Sequence, residues 1–176
     1  MSSSSPQFSL AKIYSLGYGN RTPEQLFDLV RAKGCQYLID VRSIPYSKYH
    51  RQYNRESLEQ LCTEYGLKYL YLGDQLGGKP EKGELDEFGR ADYEKMTQRP
   101  GFQEGIDRLK KAKSQGYSVA LMCAELRPET CHRTRLIGTA LSKRGLEVQH
   151  IDENANQITQ SEALGRFNNG QDDLFN

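Results

Sequence analysis

Along its length the chain alternates short apolar runs with longer amphipathic stretches. Residues 12–16 (KIYSL) form the first apolar run, which ends at Gly17-Tyr-Gly19. Thr22-Pro-Glu-Gln25 then carries the marks of a helix start: a capping hydroxyl, a proline suited to the first turn, and a glutamine three residues on. Leu26, Phe27, Leu29 and Val30 give that helix an apolar stripe, and Gly34 ends it. Residues 37–41 (YLIDV) are nearly all apolar, as a strand covered on both faces should be. A polar loop over 42–54 leads to a second helix over 55–65 and a third strand over 67–72. The connection over 73–89 is long, charged and rich in glycine; connections of that length are usually functional or mobile. Helices are predicted over 91–97 and 102–114, a fourth strand over 119–122, a helix over 131–143 and a fifth strand over 146–151.

Strands that alternate with helices in this way predict the α/β class. The expected architecture is an open, mostly parallel five-stranded sheet with helices on both faces, a Rossmann-like three-layer sandwich. The expected organisation is a disordered N-terminal tail over 1–11, one domain over 12–152 and a polar C-terminal tail over 153–176, with 168–170 (NNG) as a flexible linker. A chain of 176 residues can bury a real core in one domain.

Composition changes little in this picture. Lys+Arg 24 against Asp+Glu 23 leave a net charge of +1, so any attraction to a polyanion must be local. The N-terminus lacks the basic and apolar regions of a signal peptide, and no apolar run reaches the length of a membrane span. The expectation is a cytoplasmic protein whose four cysteines are reduced thiols, ligands or catalytic groups, not a disulfide frame. Cys35 and Cys62 lie on or beside apolar surfaces and read as small buried hydrophobes.

Placing the unusual residues on this sheet gives the main expectation about function. All five strands end in polar or reactive groups: Gly17 to Arg21, Asp40 to Ser43, Gly73 to Gly78, Cys123 with Glu125, and His150 with Asp152. In a doubly wound sheet that edge holds the site. The densest stretch is Cys123-Ala-Glu-Leu-Arg-Pro-Glu-Thr-Cys131-His-Arg133, a strand-to-helix turn with two thiols, an imidazole, carboxylates and guanidiniums. Cys131 falls at the predicted helix start, where backbone N–H groups and neighbouring arginines favour a thiolate, and Thr130 is placed to cap the helix.

Three readings of this turn stand side by side. One is a reactive thiolate, Cys123 or Cys131, with Glu125, His132 or His150 handling protons. The second is a metal site for zinc or iron drawn from Cys123, Cys131, His132 and His150, although the spacing matches no common zinc pattern. The third is structural, with Cys123 in the core and charges paired across the loop. Asp40, Arg42 and Arg133 are candidates to hold an anionic substrate, and Asp40 with Arg42 equally reads as a structural ion pair. Glu125 and Glu129 argue against a bare phosphate cradle, and the third glycine of a dinucleotide fingerprint is absent. The loop over 42–55 adds Tyr46, Lys48 and Arg51. It has four basic residues, three tyrosines and no acid, a mixture that suits a nucleotide or a single strand whose bases stack on rings, and equally a solvated surface loop.

Five motifs taken in order, Leu38 to Ser47 (LIDVRSIPYS), Leu76-Gly-Gly78, Ala120 to Glu125 (ALMCAE), Cys131-His-Arg133 and Val148 to Ile151 (VQHI), resemble the bacterial family called domain of unknown function 488. The resemblance covers roughly residues 12–152 and implies a fold and a site, not a reaction. That family usually has Gly-His-Ser after its first strand, where this chain has Gly17-Tyr-Gly19. A weaker resemblance is to rhodanese-like and cysteine-phosphatase domains. Their Cys-x5-Arg cradle, counted from Cys123, would need an arginine where Glu129 stands, so their mechanisms do not carry over. Gln171-Asp-Asp-Leu174-Phe175 is similar to the short peptide by which bacterial repair and replication proteins bind the DNA sliding clamp. The expectation is therefore a thiol- or metal-dependent enzyme acting on a nucleotide, a nucleic acid or another anion. The alternative is a non-catalytic nucleic-acid-binding module recruited to the clamp through Gln171, Leu174 and Phe175.

Overall fold

The computed structural model describes residues 10–172. Five parallel strands form its sheet: β1 (Ile13–Gly17), β2 (Tyr37–Asp40), β3 (Lys68–Tyr71), β4 (Val119–Cys123) and β5 (Val148–Ile151). A short β6 (Gln157–Thr159) pairs antiparallel with β5, and the order is β3-β2-β4-β1-β5-β6. The chain steps from β1 out to β2 and β3, returns to insert β4 between β1 and β2, and continues to β5. The carboxyl ends of β1, β2 and β4 thereby become neighbours: Gly17 is in register with Cys123, and Asp40 with Met122.

Two apolar layers cover the sheet. On one face pack α1 (Pro23–Ala32) and α2 (Arg55–Glu64), which bring Leu26, Phe27, Val30, Leu58 and Cys62 against Tyr14, Leu16, Leu38, Ala120 and Met122. The other face carries α3 (Gly73–Leu76), α4 (Tyr93–Thr97), α5 (Pro100–Ser114) and a π-helical segment (Arg133–Gly138) that runs into α6 (Thr139–Lys143). Leu76, Met96, Phe102, Ile106, Leu109, Leu136 and Leu141 meet Ile13, Val119, Leu121 and Cys123 there. Side chains alternate between faces along a strand, so Ser15 and Cys123 point to the same side as this second layer. The three-layer α/β sandwich is the one expected. Thr22 opens α1 with the predicted reciprocal pair, Thr22 Oγ1 accepting from the Gln25 N–H and Gln25 Oε1 from the Thr22 N–H.

Both ends of the domain differ from expectation. Ala11 is buried, and its carbonyl accepts from Lys113 Nζ at 2.8 Å, so the ordered chain starts before residue 12. At the other end, residues expected in a polar tail form β6 and α7 (Gln160–Asp172), with 168–170 inside that helix and not in a linker. Ile158 and Ala163 are buried there, and Gln160 reaches into the interior. No helix among the described residues is long and apolar enough to cross a membrane.

Candidate functional site: a dithiol on a buried guanidinium

The turn after β4 folds back over the end of β1. The Tyr18 and Gly19 N–H groups donate to the carbonyls of Cys123 and Ala124, each at 3.0 Å. Of the two glycines expected to make a tight turn, Gly19 has positive φ; Gly17 serves close approach, since a Cβ on it would lie 1.7 Å from the Glu125 carbonyl oxygen. The turn then enters the π-helical segment, a wide helical form common at functional sites. Thr130 does not cap it; its hydroxyl donates to the Arg127 carbonyl.

This path brings the Cys123 and Cys131 sulfurs to 2.9 Å from one another. Beneath them lies Arg133, whose guanidinium is fully buried. Arg133 Nε donates to Cys123 Sγ at 3.0 Å and to Cys131 Sγ at 3.3 Å, Nη2 to the Glu125 carbonyl at 2.6 Å, and Nη1 to Ser15 Oγ at 3.0 Å. The Arg133 backbone N–H also points at Cys131 Sγ, at 3.5 Å. Among the described residues no carboxylate pairs with Arg133, and the charge of Arg21 lies close enough to oppose it further. An uncompensated buried cation costs several kcal/mol, and the two sulfurs are the ionisable groups that Arg133 touches.

The two sulfurs divide this role. Burial raises the Cys131 thiol, but the hydrogen bond from Cys123, the Arg133 charge and His132 outweigh it and hold Cys131 well below the ordinary thiol range. Burial, followed by its bond to Cys131, pushes Cys123 up. Of the two sulfurs, Cys131 is therefore the one placed to carry negative charge, and Cys123 the one placed to keep its proton. His132 Nε2 lies 3.0 Å from the Val41 carbonyl, which fixes the proton on Nε2. Nδ1 faces Cys131 Sγ at 3.6 Å, placed to share a proton with that sulfur. The Nε2 bond to Val41 joins the thiol turn to the end of β2, so the two stretches expected on one rim do meet. Gly78 makes room for the imidazole: a Cβ there would lie 2.7 Å from His132 Cγ. Gly78→Ala is expected to displace the ring and cost about 1–3 kcal/mol, read as a lower denaturation midpoint at unchanged slope.

A second network supports the guanidinium. Ser15 Oγ, which accepts from Arg133, donates to His150 Nδ1 at 2.6 Å; His150 Nε2 donates to Gln160 Oε1 at 2.6 Å; Gln160 Nε2 donates to the Thr134 carbonyl at 2.9 Å. Burial, reinforced by the Arg133 charge, lowers His150 to about 4, so the ring is neutral. With both nitrogens engaged, His150 has no lone pair left for a metal or a substrate. The other three expected ligands, Cys123, Cys131 and His132, do converge, with donor atoms within 4.8 Å of one another. They fit a cation poorly, because the guanidinium already lies at 3.0 and 3.3 Å from both sulfurs and its positive charge repels a second one.

Above the sulfurs opens a cavity of about 570 Å³, with Arg42, Ser43, Tyr46, Lys79, Glu125 and His132 in its wall. Arg42 forms a bidentate pair with Asp40, Nε to Oδ1 at 2.9 Å and Nη2 to Oδ2 at 2.6 Å, and Nη2 also donates to the Tyr53 carbonyl. Arg42 Nη1 is buried and has no hydrogen-bond partner among the described residues. Asp40 is buried beneath Arg42 and also accepts from the Tyr69 hydroxyl, so it positions the arginine and does not reach the cavity. Arg133 likewise faces the thiols and not the cavity. Lys48 and Arg51 are exposed but lie outside the cavity wall, and Tyr53 is buried in a stack on Tyr18 with centroids 4.2 Å apart. Tyr46 is at the rim, its hydroxyl bonded to Glu56. Of the expected clamp-binding residues, Gln171 falls within α7, and Leu174 and Phe175 lie outside the described residues. The sequence reading missed Ser15, Lys79 and Gln160.

A thiol pair on a buried guanidinium, at the carboxyl edge of an open parallel sheet, defines an α/β domain with a cysteine-centred cleft. The chain belongs to the family described as domain of unknown function DUF488, whose profile matches residues 22–140. No curated protein matches it. The matched span contains Arg42, Gly78 and the whole Cys123–Arg133 turn; Ser15, His150 and Gln160 lie beyond it.

Proposed function

We propose that this protein is a thiol-dependent enzyme that acts on an anionic substrate, a nucleotide or nucleic acid among the candidates, in the cleft at the carboxyl edge of the sheet. The observation that carries this reading is the fully buried Arg133, whose charge has two cysteine sulfurs, and among the described residues no carboxylate, to answer it. Cys131 is the nucleophile. His132 Nδ1 takes or returns a proton at that sulfur, and Arg133 holds the thiolate in place. Lys79 in the cavity wall offers a donor to negative charge on the substrate, and the Arg42 guanidinium adds positive potential from the same wall. The exposed Ile44 and Tyr46 extend the rim with apolar and aromatic surface suited to a base.

The test is the pH dependence of alkylation by iodoacetamide, followed residue by residue by mass spectrometry. Cys131 is expected to react with a midpoint below the free-thiol value of about 8.5, while burial holds Cys35 and Cys62 at about 12 and leaves them unreactive. AMP or a short single-stranded oligonucleotide, at constant ionic strength, is expected to slow the reaction. A Cys131 midpoint at or above the free-thiol value overturns the thiolate, and stoichiometric zinc or iron in the purified protein would favour the metal reading instead.

A further inference from the structure

We propose that Cys123 is the resolving partner of Cys131, so that the pair reduces a hydroperoxide by two electrons and closes to a disulfide. This rests on the thiolate reading of Cys131 but adds a reaction to it. The geometry that carries it is the pairing itself. The two sulfurs are 2.9 Å apart, within an ångström or so of bonding distance, and both lie in the wall of one open cavity. A single nucleophile does not need a second thiol at van der Waals contact or closer. The remaining cysteines, Cys35 and Cys62, belong to the apolar layer on the opposite face of the sheet and cannot compete as partners.

The steps balance. The Cys131 thiolate attacks the terminal oxygen of R–O–OH; an S–O bond forms, the O–O bond breaks, and the leaving alkoxide takes a proton from solvent to depart as R–OH. Cys131 is then a sulfenic acid, oxidised by two electrons, and the peroxide has been reduced by two. Cys123 attacks that sulfur; the S–S bond forms, the S–O bond breaks, and the hydroxide leaves with the Cys123 proton as water. The guanidinium shapes both directions. It favours the thiolate that begins the cycle, and after closure it faces a neutral disulfide, which favours return to the dithiol by a low-molecular-weight thiol.

The experiment uses the full chain, reduced, freed of reductant and treated at neutral pH with one equivalent of hydrogen peroxide. Free thiols are expected to fall from four to two, the mass to drop by about 2 Da, and peptide mapping to join 123 to 131. Cys123→Ala should instead accumulate a sulfenic acid at Cys131, trapped by dimedone. If Cys131 alkylates rapidly yet peroxide leaves four thiols, or drives Cys131 to sulfinic acid without a 123–131 link, the resolving role is overturned and the thiolate enzyme stands. If Cys131 also fails to alkylate below the free-thiol range, both readings fall.

Discussion

Replacing Cys123 and Cys131 together by serine is expected to destabilise the fold by about 3–5 kcal/mol at about pH 9, far more than two near-isosteric changes should cost. Serine hydroxyls still accept from Arg133 Nε, but they do not ionise, so the buried guanidinium loses its counter-charge. Adding Arg133→Met to the double variant should recover part of the loss, because removing both members of a buried pair costs less than removing one. The pH dependence separates charge from packing. The Cys131 pKa is lowered on folding, so its contribution is fully present above the unfolded thiol value of about 8.5, shrinks as pH falls, and is gone below the folded value. The gap between the wild-type chain and the double serine variant should therefore narrow on acidification, as measured by urea denaturation across pH. A gap that stays constant would mean that the sulfurs matter only as packing.

Acid should find a second weak point at His150. Its folded pKa, about 4, lies below the unfolded value of 6.5, so the folded state rejects a proton that the unfolded chain accepts. Stability from this group is whole above the unfolded value and declines as pH falls from 6.5 to about 4, by about 3 kcal/mol. His150→Gln keeps a polar side chain without a titrating ring. It should be less stable than the wild type near neutrality, and most of that difference should vanish by about pH 4. Carboxylates elsewhere affect both proteins alike and cancel in the comparison. An NMR titration in which the His150 ring protonates near 6.5 would contradict the burial-driven shift.

How much of this was legible beforehand depends on what each residue's neighbours reveal. β2 and β4 declare themselves as apolar runs, and the capped start of α1 is written in four residues. β6 does not, because only Ile158 of its three residues is buried and it sits in a polar stretch. At the site, Cys123, Cys131 and His132 stand out as reactive types crowded into one turn. Arg133 stands out too, but its sequence position suggests a charge offered to a ligand, whereas the side chain turns inward beneath the sulfurs. Direction of that kind is set by elements far apart in the chain: Ser15 comes from β1, His150 from β5 and Gln160 from the start of α7. The one local hint was a hydroxyl among apolar neighbours in KIYSL, since a serine wholly enclosed in a sheet must be bonded to something.

The anchoring of α7 has a practical corollary for anyone choosing where to cut this protein. Gln160 is the first residue of that helix, and through His150 and Ser15 it props the arginine under the reactive sulfurs. A fragment trimmed to residues 22–140 would keep both cysteines and lose every one of those props. Expression boundaries drawn from the recognisable family span alone would yield a centre that looks whole on paper and has no floor.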